Sequence, residues 1–141
     1  MTYVDDVREF MNAAGQPVRA EPTVISDQEK WERLTMLIEE FSEHKNALVA
    51  LKRANEYHSR QGIKDAMVEL ADSLVDMVYI IIGTAHSYGL DFDALWEEIH
   101  GNNLTKIDPE TGLVLKKNGK VQKPEGYVPV DLRSVIYPAK H

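Results

Sequence analysis

The stretch from Glu69 to Gly83, Glu-Leu-Ala-Asp-Ser-Leu-Val-Asp-Met-Val-Tyr-Ile-Ile-Ile-Gly, constrains the fold more than any other part of the chain. At about 100° per residue, Met67, Leu70, Leu74, Met77, Val78, Ile81 and Ala85 make one broad apolar side, which Ala71, Val75 and Ile82 widen. A helix of this kind is buried over most of its surface. Its remaining face carries Glu69, Asp72 and Asp76 within an arc of about 60°, and Tyr79 and Gly83 continue that line. Carboxylates in such surroundings are costly unless they are paired or hold a metal.

A second acidic set lies upstream in Leu37-Ile-Glu-Glu-Phe-Ser-Glu-His44. Here Trp31, Leu34, Ile38, Phe41 and Leu48 form an apolar stripe, and Glu40 and Glu43 sit beside it one turn apart, with Glu39 adjacent. Two packed helices can therefore present four carboxylates to one point. The absence of cysteine excludes disulfides, thiolate zinc sites and cysteine nucleophiles, so a metal must be held by oxygen or imidazole. Hard oxygen ligands suit Mg²⁺ or Mn²⁺.

The net charge of -7 argues against a nucleic-acid partner. It also means that an anionic substrate needs local help. Between Lys106 and Lys123 there are five lysines, at 106, 116, 117, 120 and 123, against Asp108 and Glu110. The N-terminal residues lack the pattern of a secretory signal, and the longest apolar run, Met77 to Ile82, is far short of a membrane span. The expectation is a cytoplasmic protein with no membrane partner. Its 141 residues are read as a single domain, with a core over about 26–106 and a C-terminal arm over 107–141.

Along the chain, Thr2 caps a first helix with Val4, Val7, Phe10 and Met11 on its apolar face. Ser26-Asp-Gln-Glu29 has capping-box spacing, with Ser26 taking free amides and Glu29 reaching back. Helical periodicity then runs toward Arg60, a length that suggests a break around Lys45 to Ala47. Gly62 is read as ending this region, with the central helix starting near Lys64 and finishing at Gly89. Asp91 caps another helix. Asp108-Pro-Glu-Thr-Gly112 and Lys117-Asn-Gly119 are turn signals around short β-prone pieces, Leu113 to Leu115 and Val121. Pro124, Pro129 and Pro138 make the tail extended. The fold class is all-α, a four-helix-type bundle with a short C-terminal β-hairpin and an extended tail. A central helix apolar on so many sides further implies a homo-oligomer, dimer or tetramer.

Glu39-Glu40-x-x-Glu43 followed at a distance by Glu69-x-x-Asp72 resembles the all-α nucleoside triphosphate pyrophosphohydrolases, the MazG-like and phosphoribosyl-ATP pyrophosphohydrolase-like superfamily. Asn103-Leu-Thr-Lys106 is similar to that family's Asn-x-x-Lys, and the resemblance covers roughly residues 26–130. It implies metal ligation by Glu40, Glu43, Glu69 and Asp72, with Asp76 as an outer ligand or nucleoside contact. Glu39 becomes a water-orienting or base residue, with Glu43 its rival. Tyr79, Asn103 and Lys106 become substrate contacts. The implied reaction is Mg²⁺-dependent attack of water on the α-phosphorus of a nucleoside triphosphate, releasing pyrophosphate and a nucleoside or deoxynucleoside monophosphate. The alternatives are phosphoribosyl-ATP as substrate, or a non-catalytic helical oligomerisation or regulatory module. A di-iron carboxylate bundle fits poorly, because only Glu97-x-x-His100 has the required spacing. His44 is read as a helix-surface residue, and Trp31 and Trp96 as core or interface.

Overall fold

Residues 1–139 are described by the computed structural model. Their regular structure comprises α1 (Tyr3–Ala13), α2 (Asp27–Glu56), α3 (Arg60–Tyr88), α4 (Phe92–Leu104), the strands β1 (Lys116–Lys117) and β2 (Lys120–Val121), and α5 (Leu132–Ile136). The chain divides into two compact units, Met1–Leu90 and the segment from Asp91 onward. The mostly helical fold with a small C-terminal hairpin matches the expected class. Three of its helices, α1 to α3, pack within the first unit, and α4 belongs to the second.

In α1, Thr2 Oγ1 accepts from Asp5 N at 3.2 Å and Asp5 Oδ2 accepts from Thr2 N at 3.0 Å, a complete capping box. Val4, Val7 and Met11 are buried. The carbonyl of Val4 accepts from His86 Nε2 of α3 at 2.9 Å, and Phe10 meets Tyr79 edge-on with ring centroids 5.8 Å apart.

Helix α2 starts as expected, Ser26 Oγ accepting from Glu29 N at 3.1 Å. The reciprocal half of the box is absent. Glu29 instead takes a two-pronged bond from Arg19, at 2.6 and 3.0 Å, while Arg19 also donates to Ser87 O at 2.6 Å. A charge-assisted fork outcompetes a single bond to a backbone amide. The expected break at Lys45 to Ala47 does not occur, and α2 runs unbroken for 30 residues. No glycine or proline lies within it, and Ala47 is buried.

The chain reverses at Tyr57–Ser59, where His58 takes the left-handed conformation at φ 52. Ser59 then caps α3 by accepting from Gly62 N at 3.1 Å. The central helix therefore begins at Arg60 rather than Lys64, and Gly62 lies in its first turn instead of terminating the previous one. Gly89 ends α3 at φ 69, as expected. The Glu21 backbone comes so close to Gly89 that a Cβ there would collide with it.

Helices α2 and α3 form an antiparallel hairpin. Arg33 bonds Thr84, His44 bonds Ser73, and Ala54 approaches Gly62, so partners step in opposite directions along the two helices. The described chain covers less of α3 than its all-round apolar character suggests. Met67, Leu74, Val75, Val78 and Ile81 are exposed, because α2 and α1 cover only part of its circumference.

In the second unit, Asp91 Oδ1 caps α4 by accepting from Ala94 N at 3.0 Å. Lys116 pairs with Val121 and Lys117 with Lys120 around Asn118-Gly119, both with positive φ, the turn that suits the twist of a tight hairpin. Val114 adds an isolated bridge to Ile107. Within the tail expected to be extended, Asp131 Oδ1 accepts from Ser134 N at 3.1 Å and starts the short helix α5. No helix among the described residues is long and apolar enough to cross a membrane.

The two kinds of glycine make opposite predictions. Gly89→Ala places a Cβ in the left-handed region and against backbone, and should destabilise the protein by about 2 kcal/mol or more. Gly101→Ala, in α4 with open space around it, should stabilise α4 by about 0.5–1 kcal/mol. Urea titrations of the two variants check both signs.

Candidate active site

Residues three or four apart share a helix face. That spacing puts Glu40 and Glu43 together on α2 and Asp72 and Asp76 together on α3. The antiparallel register brings one carboxylate oxygen each of Glu40, Glu43 and Asp76 within 4.8 Å of one another. Glu40 and Asp76 are half-buried and Glu43 is exposed.

Burial holds the Glu40 carboxyl above the usual carboxylate range, and Glu43, close enough to share a proton with it, pushes it further up, with smaller contributions from Asp76 and Asp72. Asp76 is raised as well, first by burial and then by the charges of Asp72 and Glu43. Asp72, itself exposed, thus acts electrostatically on both half-buried acids. The most informative atom is Glu40 Oε2. It is buried without any hydrogen-bond partner, and buried polar atoms are nearly always satisfied. A hard divalent cation shared with Glu43 and Asp76 would satisfy it, and carboxylate oxygens are the donors such a cation takes. The residues fit a metal.

The other expected site residues are placed as follows. Glu69 is exposed and lies outside this group, seven residues before Asp76 and so about 10 Å away along α3. Glu39 is exposed beside Glu40 in sequence. Tyr79 is half-buried, its ring against Phe10, and it lines an apolar groove of about 480 Å³ with Tyr3, Val7, Leu74 and Val78. In the second unit, Lys106 Nζ donates to Asn103 Oδ1 at 3.0 Å and lies 5.7 Å from the Tyr127 ring centre, with Lys123 Nζ 5.4 Å from the same centre. Lys106 and Tyr127 line a groove of about 640 Å³, and Asn103 and Lys123 are not part of its lining.

Three features escaped the sequence reading. His44 is not a surface residue: it is half-buried, and its Nδ1 lies 3.0 Å from Ser73 Oγ. Arg33 is buried and donates from Nη2 to Ile80 O at 2.8 Å and from Nε to Thr84 Oγ1 at 3.1 Å. Asn102, rather than the neighbouring Asn103, ties the C-terminal arm to α4, accepting from Tyr127 OH at 2.7 Å and donating to Val128 O at 2.8 Å. Gly83, inside the C-terminal part of a long helix, was the one signal that pointed to a close approach: it faces the Arg33 guanidinium.

A long α2–α3 hairpin carrying clustered acids across its seam defines the class of all-α pyrophosphohydrolases. A model of the phosphoribosyl-ATP pyrophosphohydrolase family matches residues 7–103, well over half of the chain. The protein belongs to this family, within the MazG-like all-α nucleoside triphosphate pyrophosphohydrolase superfamily, and is a pyrophosphohydrolase acting on a nucleotide. No curated protein matches the chain.

The raised acids carry a pH signature. A carboxyl with a raised folded value contributes stability that is complete below its unfolded value and lost as pH rises through the folded one. Like charges about 5 Å apart repel by roughly 3 kcal/mol at an effective dielectric of 20, and solvent around exposed Glu43 reduces this to about 1 kcal/mol. Metal-free Glu40→Gln should therefore be more stable than the parent by about 1 kcal/mol at pH 7. The difference should vanish below about pH 4, where glutamate is protonated in folded and unfolded chains alike. Thermal melts across this range in chelator measure it.

Proposed function

We propose that the protein converts a nucleoside triphosphate, in its deoxy form, to the monophosphate and pyrophosphate with Mg²⁺ as cofactor. The observation that carries this reading is the orphaned Glu40 Oε2 within a three-carboxylate cluster. Glu40, Glu43 and Asp76 hold the ion, with Asp72 beside them and Glu69 as an outer acid further along α3. Bound there, Mg²⁺ supplies charge neutralisation of the phosphates and a lowered pKa for water. The water oxygen attacks the α-phosphorus, the bond from that phosphorus to the α–β bridging oxygen breaks, and pyrophosphate leaves. The proton goes to Glu39 or Glu43, both exposed and open to solvent. Asp76 and Tyr79 contact the nucleoside, while Asn103 and Lys106 are the substrate-binding residues that the Asn-x-x-Lys motif supplies.

The protein works as a homo-oligomer. On α2, Trp31, Leu34, Ile38, Phe41 and Leu48 recur at three- to four-residue intervals apart from the gap at Lys45, and all are exposed. On α3, Leu74, Val78 and Ile81 do the same, and Met67 lies exposed two turns before Leu74. An open apolar face on a two-helix hairpin is what a second hairpin covers in a four-helix bundle. Sedimentation at micromolar concentration should give a dimer or tetramer, and Ile38→Glu should shift it toward monomer. A monomeric parent contradicts the assembly.

A panel of ribo- and deoxyribonucleoside triphosphates and phosphoribosyl-ATP, each with Mg²⁺, tests the reaction. Pyrophosphate is expected as the primary product from a deoxynucleoside triphosphate. Orthophosphate as the sole primary product contradicts the reaction, and preferential turnover of phosphoribosyl-ATP contradicts the substrate. Glu43→Gln should abolish turnover with the melting temperature held or raised, and Lys106→Ala should chiefly raise KM.

A further inference from the structure

The three acids meet only in one register of α2 against α3. A slip of one helical turn displaces facing residues by about 5.4 Å, more than the 4.8 Å within which the three oxygens now lie. Apolar packing defines that register weakly from the α2 side, where the buried residues are Arg33 and Ala47. Met36, Leu37, Leu51 and Ala54 of α2 are half-buried, and Ala54 packs against Gly62, but the directional contacts across the seam are polar. Toward one end of the seam, the Arg33 fork reaches two acceptors on successive turns of α3, Ile80 O and Thr84 Oγ1, and Thr84 Oγ1 itself donates to Ile80 O at 2.8 Å. Gly83 makes room for this guanidinium, since a Cβ at that position would collide with Arg33 Nη2.

On the other side of the acids, His44 Nδ1 meets Ser73 Oγ. Ser73 is 1 % exposed, and its hydroxyl proton is engaged by Leu70 O at 2.8 Å. A hydroxyl has one proton, so the Ser73 oxygen accepts and His44 Nδ1 donates. The positions are telling. His44 follows Glu43 directly and Ser73 follows Asp72 directly. From Arg33 to Glu40 to His44 is seven and then four residues on α2; from Thr84 to Asp76 to Ser73 is eight and then three on α3. The two polar bonds bracket the acid cluster at matched intervals on both helices.

We propose that Arg33 and Ser73 are positioning residues for the pyrophosphohydrolase reaction, acting with Gly83 and His44 to lock the α2–α3 register in which Glu40, Glu43 and Asp76 share one cation. The proposal rests on the metal-dependent reading of the site. Buried polar contacts are well suited to this task, because an apolar seam tolerates slippage whereas a donor moved by one turn loses its acceptor. Neither residue touches the reacting atoms. Their effect passes through the carboxylates, where supporting contacts to metal ligands typically govern metal affinity or activity by about 10–100-fold.

The test uses the full chain with Ser73→Ala, which removes the acceptor for His44, and Arg33→Lys, which keeps the charge but loses the planar fork that aims Nε and Nη2 at fixed acceptors. Mn²⁺ affinity by titration calorimetry, kcat, KM and the melting temperature in chelator are measured for each. Both variants should bind Mn²⁺ about 10-fold or more weakly and lose kcat by a similar factor, with KM little changed and with turnover assayed well below the melt. Parent-like Mn²⁺ affinity and kcat in both, whatever happens to the melting temperature, overturns the proposal and leaves the metal-dependent reading standing. A parent that binds no Mn²⁺ and hydrolyses no nucleotide overturns that reading itself, and this proposal with it. Should Arg33→Lys fail to fold, Ser73→Ala decides alone by the same criteria.

Discussion

Mutual repulsion among Glu40, Glu43 and Asp76 is the constraint on which the rest of this structure turns. Three carboxylates within 4.8 Å, two of them half-buried, oppose the packing of the helices that carry them. The chain tolerates this because α2 and α3, at 30 and 29 residues, meet along an extended seam with interhelical contacts well away from the acids. Arg33 at one end and Ala54 against Gly62 at the other hold the hairpin, so that its middle can carry an unfavourable charge arrangement. Burial and like charge raise Glu40 and Asp76 together. A divalent cation held there would supply the counter-charge that these acids lack.

The cluster is also graded. Glu40 has a buried oxygen with no protein donor, whereas Glu43 and Asp72 face solvent. An inner acid of this type suits ligation, and exposed acids beside it suit exchange of protons with water. The same division separates Glu39 from Glu40, neighbours in sequence that the helix turns about 100° apart.

Much of this was legible in the sequence, for identifiable reasons. The α-helical class followed from the 3.6-residue periodicity, and Thr2, Ser26, Asp91 and Gly89 all cap where their chemistry predicts. The acid pairs Glu40/Glu43 and Asp72/Asp76 could be placed on helix faces from spacing alone. Register between the helices could not, because it depends on which side chains interlock across 30 to 50 residues of chain. Hence Arg33 and Ser73 went unnoticed, and His44 was read as surface. The break expected near Lys45 rested on typical helix length, a statistical prior that a segment without glycine or proline had no physical reason to obey. The Ser26–Glu29 box was half right, since local spacing says nothing of an arginine ten residues upstream of Glu29. The short helix after Asp131 was hidden among prolines that marked the tail as extended.

The central claim is that the carboxylates on the α2–α3 seam form one cation site, centred where Glu40 Oε2 lacks a protein partner. Anomalous diffraction from crystals grown with Mn²⁺ tests it most directly. The account predicts a strong peak at coordination distance from Glu40, Glu43 and Asp76, about 2.1–2.3 Å from their oxygens. Well-ordered crystals at millimolar Mn²⁺ with no peak at these residues, or with the ion held only by other acids, would contradict it.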